Sequence, residues 1–376
     1  MSSPEKSPYS KMVNQAFAES IPLNCQIEIT YRCNHLCSFC YNSPTGAKEM
    51  TTEEIFTILG KVKEIGVLYL TLTGGEAMVH KDFYKIAEEV VRLGMALRVY
   101  SNGYLMSDDA VVKKLRALNP MEIEISLHGA RPETHDELVR IKGAFTRTVT
   151  AIEKLRAAGL KVILKCPITR INQYELFEIK ALADRLDCQI IFDAVITPKD
   201  DGDLDPLSLR PDDEALEKYW GEWYMKLHND QEPPKTNHCA GDSNANCGAA
   251  RSGFTLDPYG NLYPCVALRR SAGNMLEMDD PADVWKNSPV LNEVRALTVK
   301  ARAKLDEHES GEYFSSFCLG VAEVQTGDPL GLYPQVELNS ESVRKHYELL
   351  QIGDGPKQRN KADDLGQTDE GSEKIA

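Results

Sequence analysis

The run Tyr31-Arg-Cys-Asn-His-Leu-Cys-Ser-Phe-Cys-Tyr41 sets Cys33, Cys37 and Cys40 in a C-x3-C-x2-C spacing, directly after a short apolar stretch from Cys25 to Thr30. Three thiolates on one tight loop can hold three irons of a [4Fe-4S] cluster and leave the fourth iron open to a ligand. A structural zinc knuckle would want four ligands, usually as two C-x2-C pairs, and no fourth Cys lies close by. The aromatic Phe39 before the last Cys and the strand before the loop favour the cluster.

Outward from this loop, β-type runs alternate with helical patterns at a period of about 30 residues, the spacing of repeated βα units. Strands are expected at 26–30, 67–71, 96–100, 122–126, 161–166 and 189–193, and amphipathic helices at 52–64, 82–93, 107–117, 145–158 and 172–186. Thr51-Thr52-Glu53-Glu54 and Ser107-Asp108-Asp109 supply N-cap oxygens and acidic first turns, and Gly66, Gly94 and Gly159 stand where helices should stop.

The triplet with its aromatic Phe39 resembles the signature of the radical S-adenosylmethionine (radical SAM) enzymes. That resemblance implies an α/β fold, a partial (β/α)6 TIM-like barrel with chemistry at the C-terminal ends of its strands. Gly74-Gly75-Glu76, after the second strand, looks like the family's GGE motif, whose backbone edge and Glu hold the methionine amino group of SAM. Glycine permits such an approach because no Cβ intervenes. Ser101 and Asn102 after strand three and Ser126 after strand four resemble segments lining the ribose and methionine ends of SAM. Arg140 matches a family Arg that pairs with the SAM carboxylate. For Ser126 and Asn102 turn capping is an equally good reading, and an exposed helical Arg is more often simply solvated. His128 and His135 read as structural.

A second region follows the barrel. Residues 199–214 are rich in Asp and Pro and read as a linker, and Tyr219, Trp220, Trp223 and Tyr224 form an aromatic face that reads as core packing. Cys239, Cys247, Cys265 in Gly260-Asn-Leu-Tyr-Pro-Cys265, and the distant Cys318 resemble the ligand order of the first auxiliary [4Fe-4S] cluster in SPASM and twitch extensions. Cys239 is the least certain of the four; without it the cluster would keep an open iron. No cysteine follows Cys318, and Tyr313, Ser315 and Ser316 stand where a second auxiliary cluster would want thiolates, so two clusters per chain are implied. Cys25, Cys166 and Cys188 read as buried small hydrophobes. The organisation expected is an extension over 1–22, the barrel over 23–198, a linker and bridging helix over 199–238, the auxiliary domain over 239–330 and a C-terminal extension over 331–376, disordered from about 353.

Composition limits the partners. The 376 residues carry a net charge of −14, the wrong sign for neutralising a phosphate backbone, so no nucleic-acid partner is expected. No apolar run approaches the roughly 20 residues of a membrane span, and ten cysteines without an export signal suggest reduced thiols and a cytoplasmic setting. The layout resembles most the branch containing the pyrroloquinoline quinone peptide-crosslinking enzyme. That implies a 5'-deoxyadenosyl radical acting on a ribosomally made precursor peptide, by crosslinking, oxidation, epimerisation or excision. It also implies a flavodoxin or ferredoxin-type electron donor, and a separate peptide-recognition protein is a further expected partner. The alternatives are radical oxidation or rearrangement of a small molecule, such as a sugar alcohol or tetrapyrrole, and a non-catalytic iron-sulfur electron carrier. Sulfatase maturation is disfavoured because Val266 stands where that family has an Asp.

Overall fold

A computed structural model describes residues 7–235 and 244–353. Cys239 and the tail expected to be disordered lie outside the described residues.

After a first helix, α1 (Pro8–Ala18), six strands alternate with helices in order. They are β1 (Asn24–Glu28), α2 (Thr52–Glu64), β2 (Tyr69–Thr73), α3 (Phe83–Arg92), β3 (Ala96–Ser101), α4 (Asp109–Leu118), β4 (Glu122–Ser126), α5 (Pro132–Val139), α6 (Ala144–Ala157), β5 (Val162–Pro167), α7 (Leu176–Arg185) and β6 (Gln189–Asp193). Local chemistry sets these boundaries. Thr51 Oγ1 accepts from the Glu54 N–H while the Glu54 carboxylate accepts from the Thr51 N–H, a capping box that starts α2. The Asp108 carboxylate accepts from the Ala110 N–H at the start of α4. β2 begins two residues later than expected because Val67 still donates to the Val62 carbonyl in the turn that closes α2. The α5 helix was not foreseen; Pro132 at its first position fits the start of a helix.

The six strands pair in parallel in sequence order. Alternation then sorts their side chains. On β1, Cys25 and Ile27 join Ile55, Ile58 and Leu59 of α2 in one apolar cluster, whereas Gln26 and Glu28 face the other way. Each of the six strands contributes a residue to the wall of one cavity of about 760 Å³, so the sheet curves around it.

Beyond β6 a helical segment runs through α8 (Asp213–Lys218), a π-helical turn (Tyr219–Trp223) and α9 (Tyr224–Leu227). Tyr219 and Trp220 are buried there, Trp220 stacks on Tyr224 at 5.4 Å between ring centroids, and Tyr219 meets both rings edge to face at 5.0 and 5.6 Å, so this aromatic face is core. The hairpin-like turn legible at Asp257-Pro-Tyr-Gly260 joins β7 (Gly253–Leu256) to β8 (Leu262–Tyr263), which pairs back on it, while the parallel pairing of β7 with β1 is a feature the sequence did not signal. Among the described residues the sheet therefore holds eight strands, and β1 is an interior strand. Four more helices follow among the described residues: α10 (Pro281–Asn287), α11 (Pro289–Asp306), α12 (Leu319–Thr326) and α13 (Pro334–Gly353). No helix among the described residues is long and apolar enough to cross a membrane.

Candidate functional site

The cysteine loop is held at both ends. At its start, the Tyr31 N–H and the Thr30 hydroxyl both donate to the Glu49 carboxylate, at 2.7 and 2.8 Å. Further along, the Leu36 and Ser38 N–H groups donate to the carbonyls of Val139 and Leu138 at the end of α5. Cys33 is exposed and Cys37 and Cys40 half-buried, and the His35 N–H points at Cys33 Sγ from 3.3 Å. Burial pushes the Cys37 thiol up to about 12 and raises Cys33 and Cys40 as well. Held on iron, such thiols would be bound as thiolates. Among the described residues no three His, Cys, Asp or Glu side chains converge on a single point at ion-ligating distance. A cubane asks for something different, thiolates on separate irons, and three thiols on one anchored loop fit that demand.

The Gly74-Gly75-Glu76 segment lies edge to edge with this loop. Gly75 donates to the Thr30 carbonyl at 2.8 Å and Glu76 N–H to the Arg32 carbonyl at 3.0 Å. A Cβ on Gly74 would stand 2.1 Å from Thr30 O, and one on Gly75 2.5 Å from Tyr31 O. The glycines therefore let the segment after β2 lie against the segment after β1. Glu76 itself is 2 % exposed, and its carboxylate accepts from the Ser101 hydroxyl and from the Asn102 and Met78 N–H groups. The structure thus engages Glu76 and Ser101 with each other, tying the end of β2 to the end of β3. The Asn102 side chain reaches back to Asn34 at 2.8 Å, within 4.0 Å of Cys33 Sγ. Arg140 is exposed and caps α5 with φ of 57°, and its charge acts on Cys37. Phe39 packs edge to face on His128 at 4.9 Å, and His128 stacks on His135 at 5.5 Å. Phe39, His128 and Ser126 line the 760 Å³ cavity.

A second set of thiols gathers elsewhere. Cys247, Cys265 and Cys318 line a cavity of about 480 Å³ beside β1. Two close approaches bring them there: the Ala250 N–H donates to the Pro264 carbonyl, and Gly320 packs so tightly on the Cys265 turn that a Cβ would fall 1.8 Å from Ala267 O. Burial lifts the Cys318 thiol to about 11, with Cys265 adding to the effect. Cys25 contributes to this cavity wall but alternates out of it into the apolar core. Cys166 and Cys188 are buried too.

Sequence reading missed the link between the two regions. Arg269 makes a bidentate pair with Glu28, at 3.0 and 3.1 Å, and reaches Asp200 at 3.0 Å. Glu28 is wholly buried at the end of β1 and also accepts from the Tyr31 hydroxyl. The Asp200 N–H in turn donates to the carbonyl of Tyr41, next to Cys40. Burial raises Glu28 and lifts Asp200 to about 6 in spite of the guanidinium. Only the alternation of β1, which turns Glu28 inward, hinted at this; its partner lies 241 residues away.

Comparison with known proteins agrees with this geometry. Residues 27–182 match the Radical SAM superfamily. Mycofactocin maturase MftC of Mycobacterium tuberculosis is 29% identical over 311 residues, covering 77% of each chain. The AdoMet-dependent heme synthase of Methanosarcina barkeri is 26% identical, over 81% of this chain and 93% of its own. PqqA peptide cyclase of Rhizobium meliloti is 26% identical, over 73% of this chain and 76% of its own. Among solved structures, Streptococcus suis SuiB bound to S-adenosylmethionine superposes with a TM-score of 0.60 at 18% identity, covering 84% of this chain and 77% of that one. With the cysteine loop at the end of β1 and the glycine edge beside it, the chain carries a radical SAM domain.

Proposed function

We propose that this enzyme uses S-adenosylmethionine and [4Fe-4S] clusters to modify a precursor peptide. The observation that carries the reading is the 760 Å³ cavity, walled on one side by barrel strand ends and on the other by residues 266–270 and 320–324 around Cys265 and Cys318. A space so placed lies between the two thiol-bearing regions. Peptide chemistry is favoured by relatives named as a maturase and as a peptide cyclase.

In this reading Cys33, Cys37 and Cys40 hold the cluster that binds SAM, and the backbone after β2, Asn102, Ser126 and Arg140 surround the SAM. Glu76 acts by holding Ser101 and the Asn102 backbone in place. Cys247, Cys265 and Cys318, with Cys239, hold the auxiliary cluster. Bound there, these groups supply a 5'-deoxyadenosyl radical for hydrogen abstraction and a one-electron acceptor. The chain's own work is placement and exclusion of water: Phe39 and His128 close one wall, and Val266 to Arg269 close the other. The domain limits 23–198 and 239–330 belong to this proposal, as do a flavodoxin or ferredoxin-type donor and a separate peptide-recognition protein.

The test is incubation with SAM, dithionite and a precursor peptide encoded beside the gene. The peptide mass should change, with 5'-deoxyadenosine formed in step. Loss of two hydrogens would mark crosslinking or dehydrogenation, and deuterium gain in D2O epimerisation. One observation favours a second reading: the heme synthase relative matches over 93% of its length, so turnover of a tetrapyrrole with every peptide left unaltered would make small-molecule oxidation the function.

A further inference from the structure

The cavity wall holds several carboxylates, and all but one are matched. Asp193 is paired with Lys165 at 3.4 Å, and Glu323 with Arg270. Asp200 reaches Arg269, and Asp201 accepts from the Asp203 N–H. The Glu124 side chain makes no hydrogen bond or ion pair with the described residues, and the charge of Lys165 acts on it only from beyond ion-pair distance. Its place follows from β4: in Glu122-Ile-Glu-Ile-Ser126 the two isoleucines are fully buried in the core, which turns Glu122, Glu124 and Ser126 to the lumen. Glu122 sits outside the cavity lining and is held by Arg98 and Lys161.

Glu124 therefore stands two residues from Ser126 on a wall shared with Phe39, and across the same space from Val266, next to Cys265. We infer that Glu124 is the catalytic base that takes the proton from the substrate during its oxidation. The inference rests on the function proposed above. Bound SAM would supply the deoxyadenosyl carbon that takes a hydrogen atom from the substrate C–H bond, and a cluster held by Cys247, Cys265 and Cys318 would take the one electron left on carbon. The neighbouring X–H bond gives its proton to Glu124, and the electron pair left behind forms the new C–X bond. Burial supports the role by raising the Glu124 carboxyl, which makes it a better proton acceptor. The groups that face it are Arg98 and Tyr100 from β3, Glu122 on its own strand, Lys165 from β5 and Asp193 from β6.

The experiment compares wild type, Glu124→Gln and Glu124→Asp on the nearby-encoded peptide. Glu124→Gln should bind peptide, without SAM or reductant, within about twofold of wild type by calorimetry. It should still form 5'-deoxyadenosine, yet yield on the order of 10²-fold less product per deoxyadenosine. Glu124→Asp should recover part of that loss. Wild-type product formation should fall as pH drops through the Glu124 titration, and Glu124→Gln should lack that limb. Equal product from Glu124→Gln overturns the base, and so does a tenfold loss of peptide affinity with unchanged turnover, which would make Glu124 a recognition residue. If wild type alters no peptide while forming deoxyadenosine, the proposed function fails and takes this inference with it.

Discussion

The two thiol regions are built in opposite ways. Cys33, Cys37 and Cys40 come from eight consecutive positions on one loop, pinned by Glu49 at its start and by α5 further on. Cys247, Cys265 and Cys318 come from segments up to 71 residues apart, gathered by the β7–β8 hairpin and by the close approach of Gly320 to Ala267. A local loop needs only these barrel anchors to present its thiols, whereas a gathered set exists only if the packing of the later segments forms as well. The first region should therefore survive damage to the second.

The largest expected effect breaks the local region. Replacing Cys33, Cys37 and Cys40 together by Ala should abolish dithionite-dependent formation of 5'-deoxyadenosine after anaerobic reconstitution, and lower the iron content from about eight to about four per chain. Persistent SAM cleavage by that variant would remove the loop from the site. The converse variant, Cys265→Ala with Cys318→Ala, should also drop the iron count to about four, but keep cleaving SAM. If it loses SAM cleavage while remaining folded, the two regions are not independent.

The bridge between the regions gives the next effect. Arg269→Ala leaves Glu28 buried without its cation, a change that costs about 3–5 kcal/mol in anaerobic denaturant unfolding. The sign of its pH dependence follows from Glu28, whose folded-state carboxyl is already raised by burial. A raised carboxyl binds its proton more readily folded than unfolded, so stability is gained as pH falls from above the folded value toward the unfolded value near ~4.3. Losing Arg269 raises Glu28 further, so the deficit of the variant should shrink on acidification. A deficit that is flat or grows would show that Glu28 is not what the mutation strands. Glu28→Gln combined with Arg269→Met should cost less than the sum of the single changes.

Smallest is Glu76→Ala, expected to cost roughly 1–3 kcal/mol of stability by stranding the Ser101 hydroxyl and the Asn102 and Met78 N–H groups. SAM affinity should fall only as far as Asn102 shifts. A large loss of SAM affinity at unchanged stability would instead show Glu76 touching SAM.

What was legible in the sequence follows the same division. The strands over 122–126 and 189–193 and the helix over 52–64 agree with the structure residue for residue, because alternation and a capping box are local signals. The glycines of the GGE segment were legible as a place of close approach, and the packing adds one that the sequence did not show, that of the Thr30–Arg32 backbone. β7 was not legible, since four residues carry too little pattern to announce pairing with a strand more than 220 residues earlier. Arg269 was hidden for a related reason, as a buried ion pair leaves no periodic trace in either segment. Glu124 was in plain view within a correctly read strand, yet its significance lies in the lack of a partner, which only the packed cavity reveals.

The proposed division gives two separate clusters two separate tasks, with SAM bound at the local one alone. Electron paramagnetic resonance of the dithionite-reduced protein, recorded with and without SAM, reads this out. Two reduced [4Fe-4S] signals are expected, of which SAM shifts one; in the triple variant of the 33–40 loop the shifted signal should be missing and the other unchanged. A single signal, or two signals that both ignore SAM, would contradict it.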